Sequence, residues 1–465
     1  MFLRPVTRAI LAPLPIQRGA NYGFVRLLQQ EASSSKSEPH ISTSALEEAA
    51  AERVKDPSKS ISSLQRQRAH FSQPLGRRSE VPAVHLPKKF GRDQEVAVAD
   101  ETRKLLEQIV SRFRNVRWAV AYGSGVFGQD GYDPNAPKPM IDFIFATSYP
   151  SHFHAVNLQH NPSHYPALAR WLGSDYITKV QEWGAGLWYA TMVDVDGQLI
   201  KYGVISTDAL CEDMMDWSTL YVAGRMHKPV RIIRPDARIL LANQINLVSA
   251  LRVALLMLPE EFTEVELWEQ VAGISYAGDP RMAIPGAENP EKVKNIVRPQ
   301  IHRFRGLYFK LLREIKGVSP ASGAMDTAGL SGDEAVWTAM GLGKSDGSGR
   351  LRQNVEPEYR AQLLKKLPRN LKKGLERVFT QRFETKLIRP GDPPTEKGLE
   401  EIQFWRKANA ESDLRKVLDQ ELRAIIKGPA TTQSLKGLLT AGLRKSLRYA
   451  AAKVGKWWKS KAKKA

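Results

Sequence analysis

The chain has 465 residues, 42% of them hydrophobic, which is enough for two or three domains with ordinary cores. The formal net charge of +20 is concentrated towards the ends: residues 422–465 carry twelve Lys and Arg and no acid, and residues 350–389 carry twelve basic and four acidic residues. The rest of the body has no basic excess of its own, which argues against a nucleic-acid footprint. The single cysteine, Cys211, excludes an internal disulfide framework.

The N-terminal segment has the composition of a targeting sequence. The first acidic residue is Glu31, and residues 1–30 contain four arginines: Arg4, Arg8, Arg18 and Arg26. This composition predicts a mitochondrial transit peptide. Residues 31–95 are rich in Ser, Pro and charged residues, so we expect a processed or disordered leader and a folded body from residue 96.

The first predicted elements of the body are a helix beginning at Asp100 and a strand, Arg117–Tyr122. The strand is followed by GSGVFG, which matches the dinucleotide-binding pattern G-x-G-x-x-G. That pattern needs a helix on the glycines, but 129–139 contains three prolines and a further glycine. The sequence therefore argues against a dinucleotide site.

A strand, a Gly-Ser-Gly turn and a second strand, Met140–Phe145, remain, with Asp142 among apolar neighbours. This layout resembles that of the polymerase-beta-like nucleotidyltransferases. Gly123, Ser124 and Gly125 are then expected to cradle a triphosphate, and Asp142 to bind Mg²⁺ against the same phosphates. Burying an unpaired carboxylate is costly, which favours a functional Asp142.

The second metal-binding acid of that pattern is missing, because Ile144 occupies its position. Two explanations stay open. Either another carboxylate, such as Asp133, Glu182 or Asp194, completes the site, or the metal relies on substrate phosphates and water.

Further elements follow in chain order. Apolar runs flanking DVDG (194–197) predict a hairpin over 187–206, and Asn243–Leu258 and Phe262–Tyr276 predict two helices. Thr263 and Glu266 have the spacing of a capping box on the second helix. The Gly-rich segment 317–349 predicts a flexible insertion.

The basic region 350–432 leads into an acid-free C-terminal segment, 433–465. Its apolar residues fall within one stripe of a helix, among them Leu443, Leu447, Val454, Trp457 and Trp458. This pattern predicts an amphipathic helix that lies on an anionic membrane, and a helix packed on the body is the alternative. No apolar run is expected to span a membrane, since even 247–258 is interrupted by Arg252.

Eight motifs, in order and over roughly the middle half of the chain, resemble one family: YGSGVF, MIDFIF, FHAVNLQHNPSHY, GAGLWY, IKYGVIS, LYVAGRMHKPV, ISYAGDPRM and KVKNIVRPQ. The chain resembles the mitochondrial CDP-diacylglycerol synthases (phosphatidate cytidylyltransferases) of the translocator assembly and maintenance family. The resemblance implies peripheral enzymes of the matrix face of the inner membrane, which transfer CMP from CTP to phosphatidic acid for cardiolipin synthesis.

The resemblance implies the fold class α/β (α+β). A polymerase-beta-like nucleotidyltransferase domain over 96–240 is expected to precede a mostly helical, winged-helix-like domain over 241–316. A basic helical region over 350–432 and the amphipathic helix over 433–465 would follow the insertion.

Further site residues come from the family motifs. Lys201 lies in an apolar strand, where its ammonium either steers phosphate or pairs with an acid. The resemblance favours contacts to the lipid phosphate over a solvated basic loop for four residues: Tyr221, Arg225, His227 and Lys228. Asp279 and Arg281 are expected to form a salt bridge or a wall of the cleft.

The spacing of His160 and His164 resembles that of zinc ligands, but Pro162 lies between them and no cysteine joins them. We therefore expect Asn157, His164 and Tyr165 to shape the nucleotide pocket. Mg²⁺ is the expected cofactor, CTP and phosphatidic acid the expected substrates, and no nucleic acid is expected. Two other functions stay open: an RNA-directed nucleotidyltransferase and a non-catalytic, membrane-associated assembly factor.

Overall fold

The computed structural model describes residues 90–127, 139–283, 289, 291–321, 332–344, 346–388 and 398–441, all within the unit Leu86–Ala465. Five strands form its main sheet: β1 (Trp118–Tyr122), β2 (Ile141–Thr147), β3 (Trp188–Val195), β4 (Gln198–Ser206) and β5 (Arg231–Arg234). Their order across the sheet is β3-β4-β2-β1-β5. Strands β2 and β4 run parallel, and the other neighbours are antiparallel.

Both faces of the sheet are covered, which explains why β1 and β2 are apolar at nearly every position. Helices of this part of the chain are α1 (Asp100–Ser111), α2 (Pro150–His160), α3 (Ala167–Glu182), α4 (Thr207–Asp216) and α5 (Ala223–Met226). The predicted hairpin is confirmed as β3 and β4. Helix α1 packs on the face that carries Phe143 and Phe145, whereas α4 packs on the face that carries Ile144.

The folded body begins before the predicted boundary at residue 96. A 3₁₀ turn spans Arg92–Gln94, and the buried Gln94 side chain donates a hydrogen bond to the Leu240 carbonyl at 2.9 Å. Residues 1–89, which include the predicted transit peptide and most of the predicted leader, lie outside the described residues.

Helix α6 (Ala237–Met257) crosses the centre of the molecule. It begins six residues before the predicted helix because the Asp236 carboxylate accepts from the backbone N–H groups of Arg238 and Ile239, which makes Asp236 the N-cap. The expectation that no segment is long enough to span a membrane is wrong by length and composition, since α6 meets both criteria. Most of α6 is buried against other helices, as in a core helix.

A second, three-stranded antiparallel sheet has the order β6-β8-β7 and consists of β6 (Glu261–Thr263), β7 (Val318–Pro320) and β8 (Arg350–Gln353). The helices beside it are α7 (Glu264–Gly273), α8 (Pro280–Ala283), α9 (Lys292–Val297), α10 (Ile301–Ile315) and α11 (Gly332–Ala339). The predicted capping box of Thr263 and Glu266 is confirmed at the start of α7. Residues 317–349 are not a loop throughout, because they supply β7 and α11.

The C-terminal region is helical as predicted and contains α12 (Pro357–Lys365), α13 (Arg369–Phe383), α14 (Glu401–Ala410) and α15 (Leu414–Ala441). A short parallel pair of strands, β9 (Lys386–Ile388) and β10 (Gly398–Glu400), joins α13 to α14. Helix α15 is continuous across residue 433, where the sequence predicts a new segment. One buried apolar cluster extends from the main sheet through α6 to these helices, so the predicted domains share a core.

Candidate active site

The register of the main sheet places Tyr122, Asp142 and Lys201 side by side on β1, β2 and β4. Their side chains therefore lie on one face of the sheet. The Lys201 Nζ is 3.8 Å from the Asp142 Oδ1, and about a quarter of each side chain is exposed. The sequence left two roles open for Lys201, contact with phosphate or an ion pair with an acid. In this geometry Lys201 pairs with Asp142, and the pair remains open to solvent.

The Gly-Ser-Gly turn follows β1 directly. Gly123 has φ of 82°, and its carbonyl accepts from the N–H groups of Val126 and Phe127, which closes the turn. A Cβ at Gly125 would lie 2.8 Å from the Met140 carbonyl oxygen, so only glycine fits there. The turn thus lies against the start of β2, beside Asp142, as the sequence predicts.

Two buried tyrosines, Tyr122 and Tyr189, connect this acid to a cluster of cations. Burial raises the pKa of both phenols, so both stay neutral. The Lys201 Nζ lies 4.4 Å from the centre of the Tyr189 ring, and the Arg225 guanidinium lies 4.4 Å from the centre of the Tyr122 ring. Each ring carries one cation on its face.

Arg225 opens into a small cavity of about 30 Å³, which we call the basic pocket. The pocket is lined by Leu220, Tyr221, Arg225, Lys228, Ser275, Tyr276, Asp279, Arg281, Ile426 and Ala430. The Nε of Arg225 is buried without a hydrogen-bond partner among the described residues. Three cations and one carboxylate line the pocket, so its net charge is positive.

Lys228 is 8% exposed. Its Nζ donates to the Gly224 carbonyl at 2.6 Å and to the Ser275 hydroxyl at 2.8 Å, both neutral acceptors. Burial, and then the nearby charges of Arg225 and Lys292, hold the pKa of Lys228 well below its usual range. A bound anion would stabilise the charged form of Lys228 and so raise its pKa. The pocket is therefore suited to a phosphate.

Asp279 and Arg281 were expected to form a salt bridge or a wall of the cleft, and they do both. The Arg281 Nη2 lies 2.5 Å from the Asp279 Oδ2, and both residues line the basic pocket. Burial opposes ionisation of Asp279, but the hydrogen bonds from Arg281 prevail and lower the pKa of this carboxyl.

The loop that carries Tyr221 and Arg225 is held by Asp213, a residue that sequence reasoning missed. The Asp213 carboxylate accepts from four backbone N–H groups between Thr219 and Ala223 and from the Thr219 hydroxyl, at 2.7–3.0 Å. These bonds stabilise a loop in which Trp217 and Leu220 both have φ of 54°, which is unfavourable for side chains of this kind. No spacing in the sequence indicates this role.

His227 does not reach the basic pocket, and the prediction that it binds the lipid phosphate is wrong. The side chain is fully buried, and its Nε2 donates to the Asn246 Oδ1 at 2.9 Å. Burial, followed by the charge of Lys228, lowers the pKa of His227 to about 3, so the ring is neutral. It belongs to the core between α5 and α6.

Asn157, His164 and Tyr165 also lie away from Asp142. Asn157 donates to the hydroxyls of Tyr165 and Tyr202, and the His164 Nδ1 lies 3.0 Å from the Tyr202 hydroxyl. Tyr202 neighbours Lys201 on β4, so its side chain points to the opposite face of the sheet. These three residues form a structural network with Tyr202 in place of the predicted nucleotide pocket.

The match to known proteins comes from several relatives and one family model. The model described as "Phosphatidate cytidylyltransferase, mitochondrial" matches residues 106–456. Proteins of that name from Xenopus laevis, Schizosaccharomyces pombe and Bos taurus are 39%, 36% and 37% identical to this chain. The alignments cover 76%, 79% and 76% of this chain and 94%, 87% and 94% of those proteins.

The chain belongs to the mitochondrial phosphatidate cytidylyltransferase family. Tyr122, Asp142 and Lys201 meet on one face of the main sheet, and Arg225 of α5 lies over the Tyr122 ring.

Two of the three acids proposed to complete a metal site, Asp194 and Glu182, do not join Asp142. Asp194 accepts from the Gly197 N–H in the hairpin turn, and Glu182 lines a separate cavity of about 290 Å³ with Glu212 and Asp213. Asp133 lies outside the described residues. No cluster of three or more His, Cys, Asp or Glu occurs in the described ranges.

The predicted membrane-binding residues of the C-terminal segment lie outside the described residues: Leu443, Leu447, Val454, Trp457 and Trp458. The part of that segment before residue 438 contacts the catalytic sheet region: the buried Lys436 Nζ donates to the carbonyls of Gln181 and Trp183, at 3.0 and 2.6 Å. Burial lowers the pKa of Lys436 to about 8.

Proposed function

We propose that this chain transfers CMP from CTP to phosphatidic acid and releases pyrophosphate and CDP-diacylglycerol. One observation carries the proposal: the Gly-Ser-Gly turn and Asp142 are joined to the basic pocket through Tyr122, whose ring contacts Arg225. A triphosphate site and an anion site are therefore adjacent, as the union of two phosphate-bearing substrates requires.

In the proposed reaction, a phosphate oxygen of phosphatidic acid attacks the α-phosphorus of CTP. A P–O bond forms there, and the bond from the α-phosphorus to the bridging oxygen of the β-phosphate breaks, so that pyrophosphate leaves. The attacking phosphate already carries negative charge at neutral pH, so the step needs no general base. Catalysis then rests on positioning and on charge neutralisation.

Each side of the site would hold one substrate. Backbone N–H groups and the Ser124 hydroxyl of the turn would hold the triphosphate. Arg225, Lys228, Arg281 and Tyr221 line the basic pocket and would contact the lipid phosphate. Lys201, beside Asp142, would contact the transferred phosphate.

Asp142 fits the role of a Mg²⁺ ligand. It is a partly exposed carboxylate next to a phosphate-binding type of turn, and Mg²⁺ is commonly held by one or two carboxylates with substrate phosphates and water. When bound, the metal would neutralise charge that develops on the pyrophosphate leaving group. Because Asp142 is the one acid that the described residues place at the site, substrate phosphates and water would supply the other ligands.

We further propose that the main sheet, with α1 to α4, is a polymerase-beta-like nucleotidyltransferase domain. The strand–turn–strand layout of β1 and β2 and the parallel neighbour β4 support this assignment. Helices α6, α7 and α10 with the small sheet β6-β8-β7 support a winged-helix-like second domain.

The relatives are named mitochondrial, which supports a mitochondrial location for this chain. The arginine-rich, acid-free start and the basic, amphipathic C-terminal segment support a peripheral enzyme on the matrix side of the inner membrane. CDP-diacylglycerol made there would serve cardiolipin synthesis.

The test combines purified protein with CTP, Mg²⁺ and phosphatidic acid and measures pyrophosphate and CDP-diacylglycerol. Both products should appear in equal amounts and only when the lipid is present. Pyrophosphate release that does not change when the lipid is omitted would contradict the proposal. Extension of a labelled RNA primer would instead support an RNA-directed enzyme, and no consumption of CTP would support an assembly factor.

A further inference from the structure

The exposed aromatic residues of the described chain are concentrated around α3. Among the large apolar side chains that face solvent, three are aromatic: Tyr149 at 75%, Trp171 at 81% and Trp183 at 54% exposed. Trp171 lies on α3, Trp183 directly follows it, and Tyr149 precedes α2, which packs on α3.

Four of these exposed apolar residues lie on α3 or directly before α2, and we call them the α3 patch: Tyr149, Leu168, Trp171 and Leu172. Leu168, Trp171 and Leu172 have the i, i+3, i+4 spacing of one helix face. The Ser151 hydroxyl donates to the Asp175 carboxylate at 2.7 Å, so the start of α2, which Tyr149 precedes, is tied to α3 just past the kink at Gly173. A group of exposed large apolar side chains of this kind commonly marks an interaction site.

The other end of α3 contacts α15 near the end of the described chain. The Lys436 Nζ of α15 binds the carbonyls of Gln181 and Trp183 at this end, and the neighbouring Leu435 is 63% exposed. The described chain ends at Ala441, and the 24 residues beyond it contain nine Lys and Arg and no acid. The same helix lines the basic pocket through Ile426 and Ala430.

We propose that the α3 patch is a second membrane-contact surface, which lies on the lipid bilayer when the C-terminal segment binds it. The inference rests on the proposed function, because a lipid substrate must enter the basic pocket from a bilayer. Trp and Tyr settle at the headgroup level of membranes, and Leu inserts below it. The α3 patch contributes apolar contact, whereas the basic segment contributes charge attraction that salt weakens.

This difference gives the first test, which is co-sedimentation of the full chain with neutral phosphatidylcholine vesicles at high salt. Under these conditions the contribution of the basic segment is suppressed. The double variant Leu168→Ser/Trp171→Ser, which we call the α3 variant, should show a vesicle-bound fraction at least fivefold below that of the parent. The matched control, Leu241→Ser with Ile245→Ser, changes two exposed residues on α6 and should bind as the parent does. Equal binding by the α3 variant and the parent would overturn the proposal.

The second test reports the depth of one residue. Cys211 is buried, so it will not react, and Trp171→Cys can carry an environment-sensitive fluorophore. We expect a blue shift of its emission when vesicles are added, and none for the same label on Ile245→Cys. Unshifted emission at both positions would contradict contact with the bilayer.

Two other occupants of the α3 patch give distinct results. If a second copy of the chain covers it, the parent will sediment as a dimer in an ultracentrifuge without vesicles, and the α3 variant as a monomer. If the C-terminal segment covers it, the label at Trp171→Cys will shift on deletion of 442–465 without lipid. Either result overturns the proposal.

Activity separates this inference from the proposed function. The α3 variant should lose activity on phosphatidic acid in vesicles and keep activity on dispersed, short-chain phosphatidic acid. If the parent itself makes no CDP-lipid from either form, the proposed function fails, and the vesicle-binding tests still decide the role of the α3 patch.

Discussion

Asp142 and Lys201 occupy directly paired positions on the parallel strands β2 and β4, with Nζ and Oδ1 3.8 Å apart. Neither group is deeply buried, so the ion pair itself contributes little to stability. Their value lies in placing a carboxylate and an ammonium on the same face as the Gly-Ser-Gly turn.

Asp142→Asn should lower turnover by at least a hundredfold, because it removes the anionic ligand and keeps the side-chain volume. The midpoint of thermal unfolding should stay within a few degrees of the parent. Pyrophosphate release and a thermal melt check both points. Asp194→Asn, in the hairpin turn, is the control and should keep its activity. Equal activity of Asp142→Asn and the parent would make this acid structural.

Gly125→Ala should lose CTP binding, because its Cβ would meet the Met140 carbonyl oxygen at 2.8 Å and displace the turn from β2. Isothermal titration with CTP and Mg²⁺ measures this loss. Gly428→Ala is the control, since its Cβ has no neighbour within 4 Å and alanine favours the helix α15. Unaltered CTP affinity in Gly125→Ala would show that the turn does not bind the triphosphate.

Arg225→Gln should raise the KM for phosphatidic acid about tenfold or more, since hydrogen bonds to charged groups are worth about 1.5–3 kcal/mol. The KM for CTP should change much less. Initial rates with each substrate varied in turn give both values. Arg252→Gln is the matched control, because the Arg252 guanidinium donates to the Lys366 carbonyl and does not line the basic pocket. A rise confined to the KM for CTP would assign Arg225 to the nucleotide instead.

The sequence predicted the site around Asp142 because a charged residue inside an apolar strand is unusual, and strand pairing then placed Lys201 beside it. It failed for His227, Asn157, His164 and Tyr165, because polar residues in core networks have the same composition as ligand-binding residues. Burial separates the two cases, and burial depends on the packing of distant elements such as α6.

Two neutral histidines predict sensitivity to acid. Burial lowers the pKa of His154 to about 4 and that of His227 to about 3, both below the unfolded value. The unfolded state therefore binds more protons between pH 6.5 and these values, and stability falls as the pH falls through that window. At pH 5 each histidine should cost about 2 kcal/mol by linkage.

Thermal melts at pH 7.5 and pH 5 check this expectation. His227→Gln, which retains a donor for Asn246, should be less stable at neutral pH but lose less on acidification than the parent does. An identical pH dependence in the variant and the parent would contradict the assignment of His227 as a buried neutral base.

Deletion of residues 442–465 should leave the fold and CTP binding intact and sharply reduce binding to vesicles that contain cardiolipin or phosphatidic acid. Each of the nine basic residues removed contributes about 1 kcal/mol near an anionic surface, weakened by salt. Co-sedimentation at low and high salt measures the change. A truncation from residue 434 is a poorer design, because it removes Lys436 from the end of α3.

The loop from Thr219 to Ala223 has a consequence for the interpretation of inherited or laboratory variants. Its shape depends on a single carboxylate, that of Asp213, which accepts hydrogen bonds from four backbone N–H groups of the loop. Asp213 itself lies outside the basic pocket. A change at Asp213 would release Tyr221 and Arg225 together, and the kinetic defect would resemble the loss of a residue that touches the lipid. The melting temperature of a variant at this position should therefore be measured before its kinetic defect is interpreted.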